Sequence, residues 1–188
     1  MRLAGPATFG QLMVVLALCG AMLTSLQVGP GLDGLLGALL SAIVTAIARV
    51  DARRYIIPNE LTAAILVLAL LRASMIPSDA ESHAVAAALL RSVLTTGLFF
   101  LLSISYRYFR GREGFGLGDV KLLGAAAAWL DWQPFLIALE GATLVALATY
   151  LVRQWTHNQP AKATAILPFG TFLAPFIWIG WLVDVWLN

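Results

Sequence analysis

Two aspartates stand where this chain is otherwise hydrocarbon: Asp51 at the end of the second apolar run, and Asp119 at the start of the fifth, inside GFGLGDVK, Gly114 to Lys121. An acidic side chain in or beside a membrane segment costs a few kcal/mol on insertion scales, so each of these asks for a reason. Two crossings separate them, which brings the chain back to the same side at a similar depth. Two carboxyls in one cavity of low dielectric resist double ionisation and share a proton, and such a pair can work on a water molecule as base and acid. Asp51 meets the negative end of its helix macrodipole and Asp119 the positive end of its own, so the two should differ in proton affinity. Taken singly, each has a plainer use: Asp119 as a helix N-cap, Asp51 as an interfacial charge answering Arg53 or Arg54.

The elements that must position this pair are apolar helices. Hydrophobic residues make up 60% of the 188 and charged residues 12%, with a mean hydropathy of +0.85, whereas soluble domains are about a quarter charged. Apolar runs extend roughly over Thr8 to Val28, Leu32 to Val50, Glu60 to Ile76, Ala84 to Tyr108, Asp119 to Leu130, Pro134 to Val152 and Ile166 to Leu187. Most approach the ~20 residues that span a hydrocarbon core of ~30 Å, and the fifth is short. The expected fold is an all-α polytopic transmembrane bundle of six to seven membrane segments, one integral-membrane domain over residues 1–188, with Asp51 and Asp119 at its cytoplasmic face. With a cytoplasmic N-terminus, that side receives Arg2, Arg49, Arg53, Arg54, Arg107, Arg110, Arg112, Lys121, Arg153 and Lys162, ten of the twelve basic residues. The net charge of +2 then reflects topology and attraction to anionic membrane lipid, with no nucleic-acid partner.

The other charges sort by depth. Asp33, Asp79, Glu81, Asp131 and Asp184 read as solvated at the outer interface. Glu140 lies about seven residues inside the sixth run and Arg91 about seven inside the fourth, a depth of ~10 Å for each, so an ion pair between them is expected. The single cysteine, Cys19, excludes an internal disulfide and cysteine-paired zinc, and reads as a buried small apolar residue. Leu18 before it argues against a lipoprotein cleavage box, and no small-x-small site follows Leu12 to Leu23, so no cleaved signal peptide is expected. His83 and His157 lack companions for a metal, and no Ser/His or Cys/His pair is placed for nucleophilic catalysis.

Three stretches flank the pair. In DARRYIIPNELT, Pro58 ends the helix and Asn59 is placed to cap the next one, giving a tight turn. Gly111, Gly114, Gly116 and Gly118 leave a loop without side-chain bulk, which a polypeptide could approach as an added strand. ILPFGTFLAP opens the last run with Pro168, Phe169 and Gly170, and Pro175 follows. Irregular backbone at membrane depth is tolerated where it is buried or lines a wet cavity. Lys121, two residues past Asp119, faces elsewhere on a helix and reads as snorkelling to the headgroups, while Glu60 and Glu113 read as solvated edge charges.

An aspartate followed by IPN, then GxGDVK, then PFG before a final run, in that order, resembles the type IV prepilin peptidases, the GxGD membrane aspartic proteases, from about Leu12 to Asn188. The resemblance implies an endopeptidase of the cytoplasmic (inner) membrane with catalytic Asp51 and Asp119. It would cut basic leaders from prepilins or pseudopilins just before a hydrophobic helix. Pro58, Asn59, Gly116, Gly118, Lys121, Pro168, Phe169 and Gly170 would shape the site or bind substrate. No cofactor or metal is implied, and the dipole argument makes Asp119 the base and Asp51 the protonated partner. The chain resembles the short form without the cysteine-bearing zinc domain, similar to those of tight-adherence (Flp) pili, so methyltransferase activity is not expected. Thr171 stands where the family usually has proline in PFGPF. Intramembrane carboxylates also serve ion-coupled transporters, and a helical scaffold would suit the composition. The one-sided placement of the aspartates and the lack of an inverted repeat speak against the first, and the paired aspartates and glycine loop against the second.

Overall fold

Helix ends decide where the chain turns. The computed structural model describes residues 6–29, 31–75, 81–111, 114, 116–157 and 167–187. Among these are seven helices: α1 (Pro6–Val28), α2 (Leu32–Arg54), α3 (Asn59–Ser74), α4 (Glu81–Arg110), α5 (Leu117–Trp129), α6 (Trp132–His157) and α7 (Phe169–Leu187). They match the expected runs closely, and the chain is an all-α polytopic bundle. α2 runs one turn beyond Asp51, ending where Tyr55 enters the left-handed region at φ 55° and donates its N–H to the Asp51 carbonyl. Pro58, extended at φ −64° and ψ 132°, then starts α3 after a turn of only four residues.

Five helices, α1, α2, α4, α6 and α7, are long and apolar enough to cross a membrane. The other two are the short ones. α5 has 13 residues, about 20 Å at ~1.5 Å per residue, and it is buried almost throughout from Val120 to Trp129. Its Gly124 and the run Ala125 to Ala128 carry so little bulk that neighbouring helices close in on every side, with the Thr96 side chain of α4 seated against Gly124. α5 is therefore the axis of the bundle: α3, α4 and α7 pack against it, and one apolar core joins it to Leu40 and Ile47 of α2, Ile65 of α3, and Leu173 and Trp181 of α7.

An axis this short ends in low dielectric, and its last carbonyls need donors. Two arginines supply them. Arg72 of α3 donates Nη1 to the Trp129 carbonyl at 3.2 Å, and Arg91 of α4 donates Nε to the Ala127 carbonyl at 3.1 Å. Cations at a helix C-terminus also oppose its dipole. Arg72 further pairs with Asp33 of α2 at 2.6 Å and Asp184 of α7 at 2.9 Å, and its guanidinium lies 5.6 Å from the centre of the Trp129 ring. One side chain thus clasps α2, α3, α5 and α7 at the end of the bundle opposite Asp51.

These contacts correct two expectations. Asp33 and Asp184 are partners of Arg72 and not solvated loop charges; Asp184 is 6% exposed. Arg91 pairs with Asp131 at 2.9 Å and not with Glu140, which faces outward on α6. Equal depth did not bring Arg91 and Glu140 together because α6 turns Ala138 and Ala142 to the core and Glu140 away from it. Cys19 is also exposed, on a helix that buries little of itself. Asp79 and the side chain of Glu81 lie outside the described residues.

Removing the clasp is expected to destabilise the fold. Arg72→Ala leaves Asp184 buried without its cation, and breaking a buried pair this way costs about 3–5 kcal/mol. Thermal unfolding of the detergent-solubilised protein should show a clear fall in midpoint, while Arg53→Ala, on the exposed tail of α2, should leave it unchanged. Equal midpoints for the two variants would show the clasp to be dispensable.

Candidate active site

At the other end of the same helices, the last turn of α2 and the first turns of α5 and α7 converge. Asp51 is 4% exposed although Ala52, Arg53 and Arg54 beside it are open. Asp119 is half-buried and sits in the first turn of α5, whose N-terminal flank, Gly116, is extended at φ −68° and ψ 138°. α7 starts at Phe169, directly after Pro168, so Gly170 and Thr171 fall in the turn whose N–H groups have no partner within the helix itself; that of Thr171 also reaches the Pro168 carbonyl, at 3.2 Å.

Those N–H groups go to the aspartates. Thr171 donates its backbone N–H to Asp51 Oδ2 at 2.7 Å and its hydroxyl to the same oxygen at 3.0 Å. The hydroxyl lies farther, 3.4 Å, from the Ala48 carbonyl, so Asp51 is its nearer acceptor. Asp119 lies against the N–H groups of Gly170 and, back along its own helix, of Gly116. Gly116, and not Asp119, holds the N-cap position of α5, and Asp119 is the third residue of the helix. The two carboxylates lie close enough to repel one another. Adjacent peptides of one helix terminus thus face both acids, where the α7 macrodipole welcomes negative charge. Two donors on Oδ2 leave Asp51 Oδ1 without a protein partner among the described residues.

Ile57, buried in the turn after α2, forms the floor. A Cβ at Gly170 would lie 2.7 Å from Ile57 Cδ1 and 3.0 Å from Asp51 Oδ2, and one at Gly118 would lie 3.2 Å from Ile57 Cβ. The three flanking stretches therefore meet at one side chain: the isoleucine before Pro58, the glycine before Asp119 and the glycine after Phe169.

Asp51, Asp119, Gly116, Gly118 and Gly170 are brought together, and Pro168 and Phe169 start the helix that joins them. Pro58 acts one step out, offering its carbonyl to the N–H and hydroxyl of Thr62. Asn59 differs from expectation. Pro58 occupies the capping position and Asn59 the first helical one, so its side chain is free to accept from Lys121 Nζ at 3.0 Å. That exposed bond ties α3 to α5 on the rim, and Lys121 does not pair with Asp119. Ile57 and Thr171 were not among the expected site residues. Thr171 was legible as the third residue of a helix opened by PFG, a position whose N–H points outward along the axis. No group of three or more acidic, histidine or cysteine residues able to hold a metal occurs among the described residues. His83 is exposed, and Glu113 and the His157 side chain lie outside the described residues.

Known proteins share much of this chain. Residues 38–152 match the model of the type IV leader peptidase family, a stretch that contains both aspartates but not α7. The prepilin leader peptidase/N-methyltransferase of Aeromonas hydrophila is 28% identical over 166 residues, covering 86% of this chain and 53% of that protein. The protein of the same name from Dickeya chrysanthemi is 34% identical over 155 residues, covering 81% of this chain and 52% of its own length. The chain thus spans about half the length of the curated relatives it matches. No solved structure matches it.

Proposed function

The chain belongs to the type IV leader peptidase family, and from that premise we propose that it is a multi-pass membrane aspartic endopeptidase that removes the leader of a prepilin or pseudopilin. The observation that carries this reading is the α7 terminus, which serves Asp51 through Thr171 and Asp119 through Gly170. A water held between Asp51 Oδ1 and Asp119 would attack the carbonyl carbon of the scissile peptide. One carboxylate takes the proton of the water as the C–O bond forms; the other gives its proton to the nitrogen as the C–N bond breaks.

The aspartate end carries Arg49, Arg53, Arg54, Arg107, Arg110, Lys121 and Arg153, and the far end Arg72 and Arg91. That asymmetry supports placing the site at the cytoplasmic face of the inner membrane, with a cytoplasmic N-terminus. The reading covers the peptidase step and not methylation. Its test is co-expression with a prepilin-like substrate, followed by N-terminal sequencing of the membrane fraction. A shortened product starting at the junction of leader and apolar helix is expected. An uncut substrate beside normal levels of this protein would overturn the proposal.

Thr171 offers a finer test. Thr171→Val keeps the backbone bond and removes the hydroxyl, and a hydrogen bond to a charged group is worth about 1.5–3 kcal/mol. Cleavage is expected to slow about tenfold or more, and Thr171→Ser to restore it. Equal rates for the valine and serine variants would remove the hydroxyl from the mechanism.

A further inference from the structure

α1 packs along α2 and is pinned to the bundle near its C-terminus. Near its C-terminus Ser25 accepts a hydrogen bond from Trp178 Nε1 at 2.9 Å, and Gly29 meets Gly34 so closely that a Cβ on either would strike the other's backbone. Toward its start, Leu12, Met13, Val15 and Leu16 are all exposed. Between this half and the pair α2 and α7 lies an almost wholly apolar cavity of about 440 Å³. Val14, Ala17 and Ala21 form its α1 wall, Ser41 and Ala48 part of the α2 wall, and Thr171 and Pro175 part of the α7 wall.

The groove is continuous with the aspartates, because Thr171 lines it while bonding Asp51. Along α2 it extends from Ala52 to Ser41, about 16 Å down from the aspartate end at ~1.5 Å per residue. Where its lining is small, at Ala17, Ala21, Ser41 and Ala48, another helix could approach backbone to backbone. Pro175 has no N–H to give to the Thr171 carbonyl four residues before it, so that carbonyl is deprived of its helical donor beside the catalytic pair. The N-terminal turn of any helix carries N–H groups in want of acceptors.

We infer that this groove seats the first turns of the substrate's apolar helix, placing the peptide bond just before that helix at Asp51 and Asp119. The inference rests on the proposed peptidase function. It gives the substrate a direction: leader at the aspartate end, helix descending between α1, α2 and α7. Arg49, which has no acidic partner among the described residues, stands at the mouth. A lipid with its phosphate on Arg49 and an acyl chain in the groove is the competing occupant. An acyl chain, however, has no N–H for the Thr171 carbonyl.

The full chain in nanodiscs of phosphatidylethanolamine and phosphatidylglycerol, given a purified prepilin-like substrate, tests this. Ala17→Trp and Ala21→Trp fill the groove without touching the aspartates, and Leu147→Trp adds the same bulk to the exposed side of α6. The first two are expected to raise KM about tenfold or more with kcat near the wild-type value, and the third to change neither. A photoreactive benzoylphenylalanine at position 17, on an Asp51→Asn background, is expected to cross-link to the substrate helix. Unchanged KM in both groove variants, a fall in kcat alone, or adducts with lipid only would overturn the groove. Failure of the wild-type protein to cut the substrate would instead overturn the peptidase reading on which the groove depends.

Discussion

Exchange of either aspartate for asparagine, Asp51→Asn or Asp119→Asn, is expected to abolish leader cleavage while the protein accumulates normally in the membrane. Either exchange keeps the shape of the side chain and removes its capacity to hold and release a proton. A positioned acid or base contributes about 10²–10⁴ in rate, and the two work on one water, so the double variant should be little worse than either single one. The fold should survive. In Asp51→Asn the amide oxygen can still accept from the Thr171 N–H and hydroxyl, and in Asp119→Asn it can still accept from the N–H of Gly116. Asp119→Glu is expected to fail too, because one more methylene moves the carboxyl off the two N–H groups that hold it. A transport site could tolerate the longer acid. The assay is a gel mass shift of co-expressed substrate, with both proteins quantified in the same membranes. Cleavage that persists in either asparagine variant would remove that aspartate from catalysis and give the transport reading new weight.

The helices and the two aspartates could be read in the sequence because each depends on near neighbours. Hydropathy sets the runs, Pro58 and Pro168 set their limits, and counting crossings returns Asp51 and Asp119 to one side. What could not be read depends on the rotation of one helix against another. Arg91 illustrates this: depth alone offers it Glu140, but the faces of α4 and α6 give it Asp131 and a carbonyl of α5. Arg72 is one of two basic residues outside the ten on the aspartate side, and only the arrangement of four helices shows that it answers Asp33, Asp184 and the C-terminus of α5. Ile57 was hidden for a different reason. An isoleucine among apolar residues carries no signal until two glycines from distant stretches are found resting on it. Thr171 looked like a departure from PFGPF, yet it supplies Asp51 with a hydroxyl and an N–H that proline lacks.

Gly170→Ala is the smallest change expected to have a large effect. The new methyl group would lie 2.7 Å from Ile57 Cδ1, 3.1 Å from Ile57 Cγ1 and 3.0 Å from Asp51 Oδ2. Ile57 Cδ1 is the end of a flexible side chain and can rotate aside. Asp51 cannot retreat without loosening its bonds to Thr171, and the N–H that serves Asp119 belongs to Gly170 itself. Misplacing a reacting group by ~1 Å can cost about 10²-fold in rate, and that is the expected loss here. Stability should hold, since alanine is the better helix former by ~1 kcal/mol. Gly97→Ala, on α4 where nothing lies within 4 Å of the added methyl, is the neutral control. A double variant separates the two causes. Ile57→Val removes the Cδ1 atom and with it the shortest apolar contact, so Gly170→Ala combined with Ile57→Val should recover only part of the activity. Full recovery would mean that packing against Ile57, and not the position of Asp51, explains the glycine. Wild-type cleavage by Gly170→Ala alone would mean that the α7 terminus does not hold the two aspartates in their working geometry.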